Sequence, residues 1–167
     1  TGREETRKVG EIRVFLCPGN SNKAEPGRPG FSHYVGIAGV GKNAAELSLR
    51  TADESAIRSN VGFFGYDRQI KPEDIKDGLA TTLAVAETHA DNGPWTAGGP
   101  STVRGLDPQN LPYLRSQGQF GGIHYAGGAM VLFVDGSTRF IKESISPEVF
   151  EALATIAGGE ELGNEPK

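Results

Sequence analysis

Two β-type runs near the C-terminus, Ala129 to Val134 (AMVLFV) and Thr138 to Lys142 (TRFIK), flank the tripeptide Asp135-Gly136-Ser137. Asp-Gly between such runs is a strong hairpin signal, because the tight turn needs positive φ and glycine adopts it without penalty. An antiparallel pair is therefore written into one local stretch. Ser146 follows as a helix cap, with Pro147 at the first helical position and Glu148 in the first turn, so a helix is expected from Pro147 to about Ala157, stopped by Gly158-Gly159.

The rest of the chain is heavily punctuated. With 24 Gly and 10 Pro among 167 residues, these two types make up about 20% where about 12% is usual. Few stretches are left for a long helix, and the expected class is α+β, β-dominated, with an antiparallel sheet, a C-terminal hairpin and a short C-terminal helix. Counted with glycine and without tyrosine, apolar residues are about 49% of the chain, within the ordinary globular range. We expect a single globular domain over residues 1–167, with 1–11 and 160–167 as loose ends.

Ile12 to Leu16 (IRVFL) reads as a short strand ended by Cys17-Pro18-Gly19, and Ser32 to Ala38 as a second, with Gly36 at a bulge or close approach. Ala44 to Leu47 suits one helical turn, and Gly62 to Tyr66 reads as an aromatic strand. Lys71 to Ile75, with Pro72 at its start, suits another helical turn. Thr81 to Thr88 alternates, placing Leu83, Val85 and Glu87 on one face and Thr82, Ala84 and Ala86 on the other. Ala90 to Gly122 is a long Gly- and Pro-interrupted excursion with room for an edge strand, and loops of that length are usually functional or mobile.

Charge and composition exclude several function classes. The net charge of -4 and the lack of a basic stripe with interleaved aromatics argue against nucleic acid. No apolar run reaches the ~18 residues of a membrane span. Cys17 is the single cysteine, so it forms no internal disulfide and makes no metal site alone. The chain opens on Thr1 rather than Met, and we expect an upstream segment that carries the localisation signal.

Five residues stand out as candidates for binding. His124 precedes the hairpin whose turn holds Asp135, yet an extended six-residue strand of roughly 20 Å lies between them. Unless residues 125–128 turn sharply back, the pair is architectural, with His124 fixing the loop and Asp135 shaping the turn. Glu87 ends a strand with an apolar face and asks for a partner, for which Arg139 is the natural candidate. Asp77 begins the Asp77-Gly78 turn. Trp95 is either a sugar-stacking platform or a plug beneath the long loop. The acids Asp77, Glu87, Asp91 and Asp135 are oxygen ligands of the kind calcium takes, but no Asp-x-Asp-x-Asp-Gly loop is present, so no cofactor is expected and the metal content is left unknown. Catalytic residues are not expected. There is no Gly-x-Ser-x-Gly elbow, Cys17 before Pro18 reads as a small buried residue, and Gly36-x-x-Gly39-x-Gly41 lacks the Lys-Ser/Thr of a phosphate loop.

Several short pieces occur in an order that carries a resemblance. They are Phe15-Leu16-Cys17-Pro18, Tyr34 to Gly39, Gly62-Phe63-Phe64, Ile75 to Gly78, Thr82 to Glu87, Trp95, His124 with Asp135 to Phe140, and Leu153 to Glu160. In these the chain resembles a large family of bacterial proteins, abundant in planctomycetes, with a prepilin-type leader, a long apolar N-terminal helix and a C-terminal signature of His, nine residues, then Asp-Gly. This chain departs in two places. Ten residues separate His124 from Asp135, and Leu79-Ala80-Thr81 stands where Thr-Ser-Asn is usual.

The resemblance implies a non-enzymatic head of a pilin-like or pseudopilin-like envelope subunit, akin to those of type IV pili and type II secretion. It implies an extracytoplasmic position, in the periplasm or at the cell surface. It also implies self-association, or association with other pilin-like subunits, through the upstream helix, with the membrane met only by that segment. The alternative is an extracytoplasmic module binding carbohydrate or another solute through Trp95.

Overall fold

In the computed structural model, residues 10–21, 29–116, 118–124 and 127–159 are described. Five strands form one sheet in the order β3-β1-β2-β4-β5. They are β1 (Tyr34–Val40), β2 (Leu83–Glu87), β3 (Val103–Leu106), β4 (Gly128–Phe133) and β5 (Thr138–Lys142). Two α-helices accompany them, α1 (Glu54–Asn60) and α2 (Pro147–Ala154). The class is α+β and mostly β, as the punctuation predicts. Neighbours pair antiparallel except β3, which runs parallel to β1 with Gly36 opposite Val103. β3 is the edge strand within the long excursion.

The hairpin forms as expected. Met130 faces Phe140 and Leu132 faces Thr138, and Gly136 holds φ 87 in the turn. A Cβ on Gly136 would meet nothing within 4 Å, so only the backbone resists substitution there. Gly136→Val is expected to lower stability by more than about 1 kcal/mol in urea denaturation; an unchanged midpoint would show that the turn tolerates a β-branched residue.

One face of the sheet makes the core. Val35, Ile37, Leu83, Ala86, Ala129, Val131 and Phe133 pack against Phe150, Leu153 and Ala154 of α2, with Tyr113, Leu114 and Phe120 from the excursion. Ser146 caps α2 by accepting a hydrogen bond from the Val149 amide at 3.3 Å. The helix ends at Ala154 rather than Ala157 because Ile156 is held elsewhere. Its amide donates to the Val61 carbonyl at 2.9 Å and its carbonyl accepts from Lys76 at 2.6 Å.

Three expectations are corrected, and one helix is added. The run Ile12 to Leu16 is not a strand. Arg13–Phe15 is a turn of 3-10 helix, closed by the Phe15 and Leu16 amides on the Ile12 and Arg13 carbonyls at 3.0 and 3.1 Å. Gly62 to Tyr66 is not a strand either; Gly62 and Phe64 donate to the Ala38 and Ile37 carbonyls, so the segment crosses β1 instead of running along it. α1 was not anticipated, and Asp53 caps it by accepting from the Ala56 amide at 2.7 Å. The alternation in β2 is broken by a register shift between Leu83 and Val85. Leu83 therefore joins Ala86 in the core, while Val85 and Glu87 point to the opposite face. The turns at Ala44–Glu46 and Pro72–Asp74 fall where expected.

Candidate functional site

Glu87 closes β2 opposite Tyr34 of β1 and is 1% exposed. Its partner is His124, not Arg139. The His124 Nε2 lies 2.8 Å from Oε2 and 3.1 Å from Oε1 of Glu87, and the Met130 amide donates to Oε2 at 3.1 Å. Arg139 instead sits over the Phe133 ring at 4.4 Å and donates to the Ala80 carbonyl. Cys17 completes the group, its Sγ 3.8 Å from His124 Nε2. One ligand-type atom each from Cys17, Glu87 and His124 lies within 4.8 Å of the others.

The backbone holds all three in place. Cys17 follows the Arg13–Phe15 turn, and its amide donates to Nδ1 of the fully buried His33 at 3.1 Å. The Gly121 amide donates to the Glu87 carbonyl at 2.9 Å, which brings the loop carrying His124 over the end of β2. Gly122 allows the approach: a Cβ there would lie 2.5 Å from Glu87 Oε1 and 2.6 Å from His124 Cδ2. The Phe140 ring stands edge-on to the imidazole at 5.8 Å.

This is not the geometry of a thiol nucleophile. A base that activates Cys and is oriented by a carboxylate uses its two ring nitrogens for the two partners. Here the same nitrogen faces both. Burial, and then the hydrogen bond to Glu87, also push the Cys17 thiol above its ordinary value, which disfavours the reactive thiolate.

Tyr34 senses the same cluster. Burial, then the charges of Cys17 and Glu87, raise its phenol from 10.0 to about 12. The neutral phenol is the form the fold favours, so its contribution is full below pH 10 and is lost as pH rises through about 12. Spectrophotometric titration should show a late-ionising phenol near pH 12 that Tyr34→Phe removes. Identical titration curves for the two proteins would contradict the assignment.

The other expected residues lie apart from this cluster. The Asp135 carboxylate accepts from the Ser137 amide at 2.8 Å and its hydroxyl at 2.6 Å, so it shapes the turn as anticipated and forms no dyad with His124. Asp77 receives the Gly158 and Gly159 amides at 2.8 and 2.9 Å and ties the chain after α2 to its own turn. Asp91 pairs with Arg104 at 3.8 Å. The four acids thus serve separate partners and do not converge as a calcium site would require.

Trp95 is half-buried against Phe15, with ring centroids 5.8 Å apart, and its indole N–H points to the Gly10 carbonyl at 3.4 Å. It lines a groove of about 530 Å³ on the sheet face opposite α2, with Val14, Tyr34, Phe64, Val85 and Leu132. Val14 is 76% exposed. The lining is largely apolar, whereas a sugar platform needs converging polar side chains. The alternation of Thr81 to Thr88 does not announce this face, because the bulge in β2 decides where Val85 points.

One face of the five-stranded sheet is buried, the other carries an apolar groove, and a thiol–imidazole–carboxylate cluster stands at the end of β2. The chain matches, over residues 1–148, the family SBP_bac_10, described as a protein of unknown function (DUF1559), and it belongs to that family. No curated protein and no solved structure shows a significant match to it.

Proposed function

We propose that this chain is the non-enzymatic head of a pilin-like or pseudopilin-like subunit of the bacterial envelope, held outside the cytoplasm on an upstream apolar helix. The observation that carries the reading is the apolar sheet face opposite α2. Val14, Val85 and Leu132 leave apolar surface on a face that nothing comparable to α2 covers among the described residues. Apolar side chains lining an open groove gain from a packing partner that takes them out of water. The upstream helix is the occupant that suits it, since a helix lays an apolar stripe along a sheet face. No helix among the described residues is long and apolar enough to cross a membrane, so anchoring falls to that segment. The one-nitrogen geometry at Cys17, His124 and Glu87 supports a role without nucleophilic catalysis.

Expression of the whole gene product tests this. We expect it in the membrane or sheared-surface fraction, with Leu132→Asp impairing assembly while leaving the melting of the 167-residue chain unchanged. A freely soluble, monomeric product would overturn the reading. The second reading, a binding module, rests on Trp95 in the groove; glycan or solute binding that vanishes in Trp95→Ala, with the fold intact, would favour it.

A further inference from the structure

We propose that Cys17, Glu87 and His124 bind a zinc ion through Sγ, a carboxylate oxygen and Nε2. The inference stands independently of the envelope role. Three donors of different chemistry, from segments 70 and 37 residues apart in the chain, meet within 4.8 Å. Sulfur, imidazole nitrogen and carboxylate oxygen are the zinc donor set, at about 2.0–2.3 Å from the metal. In a tetrahedral arrangement those bond lengths put the donor atoms about 3–4 Å apart. The Cys17–His124 separation of 3.8 Å already falls in that range. The His124–Glu87 contact of 2.8 Å needs to open by only a few tenths of an ångström. Calcium and magnesium do not fit, since they take a shell of oxygen atoms that this cluster does not supply.

The surroundings fit a cation. Glu87 is 1% exposed with its carboxylate turned toward Cys17 and His124. A buried carboxylate calls for positive charge, and a divalent ion supplies more of it than one imidazolium. Gly122 leaves out the side chain that would fill the space between Glu87 and His124. The His124 side chain is 31% exposed, which gives an ion an entry path and leaves the fourth position to water. Binding displaces the Cys17 proton and fastens the Arg13–Phe15 turn, the end of β2 and the loop before β4 to one another.

The test uses the 167-residue chain, stripped with chelator and dialysed against zinc, with cobalt as a spectroscopic substitute. We expect one metal per chain and a thiolate-to-cobalt charge-transfer band. A rise in melting temperature on adding zinc, reversed by chelator, should accompany them. Cys17→Ser should abolish the band, and His124→Gln should weaken binding by more than about a hundredfold. Both variants should keep the far-ultraviolet circular dichroism of the parent. Glu87→Gln separates the ligand role from packing, because it keeps the shape and removes the charge; it too should lose zinc. Failure of the folded parent to retain zinc or cobalt would overturn the proposal, as would a band that persists in Cys17→Ser.

Discussion

Gly39→Ala is expected to unfold the chain or to cost more than about 4 kcal/mol in denaturant titration. Gly39 sits in β1 at φ +112, and a Cβ there would lie 1.9 Å from the Asn60 carbonyl oxygen and 2.5 Å from the Gly62 nitrogen. Both neighbours are backbone, so no side chain can swing aside. The same crossing forms the bridge from Gly39 to Val61, and Val61 in turn accepts from Ile156 just beyond α2. The collision would therefore spread from β1 to the far end of the helix. Gly41→Ala is the control. Its φ of +109 is nearly the same, yet nothing lies within 4 Å of the added atom, so only backbone strain of about 1–3 kcal/mol is expected. Equal losses in the two variants would mean that the close crossing contributes nothing.

Phe150→Ala should cost about 3–5 kcal/mol. Phe150 is fully buried in α2, with the Tyr113 and Phe120 rings each 6.0 Å away. It is the point at which the long excursion, the helix and the sheet meet, so truncation leaves a cavity lined by all three. The check is the urea midpoint together with near-ultraviolet circular dichroism, which reports the tyrosine packed against the lost ring. A change below 1 kcal/mol, on the scale of a surface substitution, would contradict this view of the core.

What could be read from the sequence was local. The hairpin, the cap at Ser146 and the Pro72 turn depend on residues within a few positions of one another, and each appears where turn and cap chemistry put it. The failures are tertiary. Ile12 to Leu16 has β-type composition, but its amides close on its own carbonyls three residues back instead of on a neighbouring strand. One extra residue in β2 inverts the facing of Val85 and Glu87 relative to Leu83, and nothing in the alternation of Thr81 to Thr88 announces it. α1 has Ile57 as its one large apolar side chain, too little for a periodic signal.

The site shows the same division. Glu87 was recognisable as a carboxylate in need of a partner and His124 as a residue worth following. Cys17 lies 107 residues from His124, and its place before Pro18 by itself reads only as a small core residue. That much is correct, since Cys17 is buried; its neighbours were invisible. The three residues do fall in three of the segments that carry the family resemblance, which was the one available hint that they work together.

The proposed envelope role depends on the sheet face opposite α2 being a contact surface. Thiol labelling of Leu132→Cys, compared between the 167-residue chain and the product of the whole gene in its native membrane fraction, tests this directly. Cys17 is buried, so the introduced thiol dominates the reaction. Ready labelling is expected in the isolated chain and strong protection in the whole product; equal labelling rates in the two would overturn the envelope role.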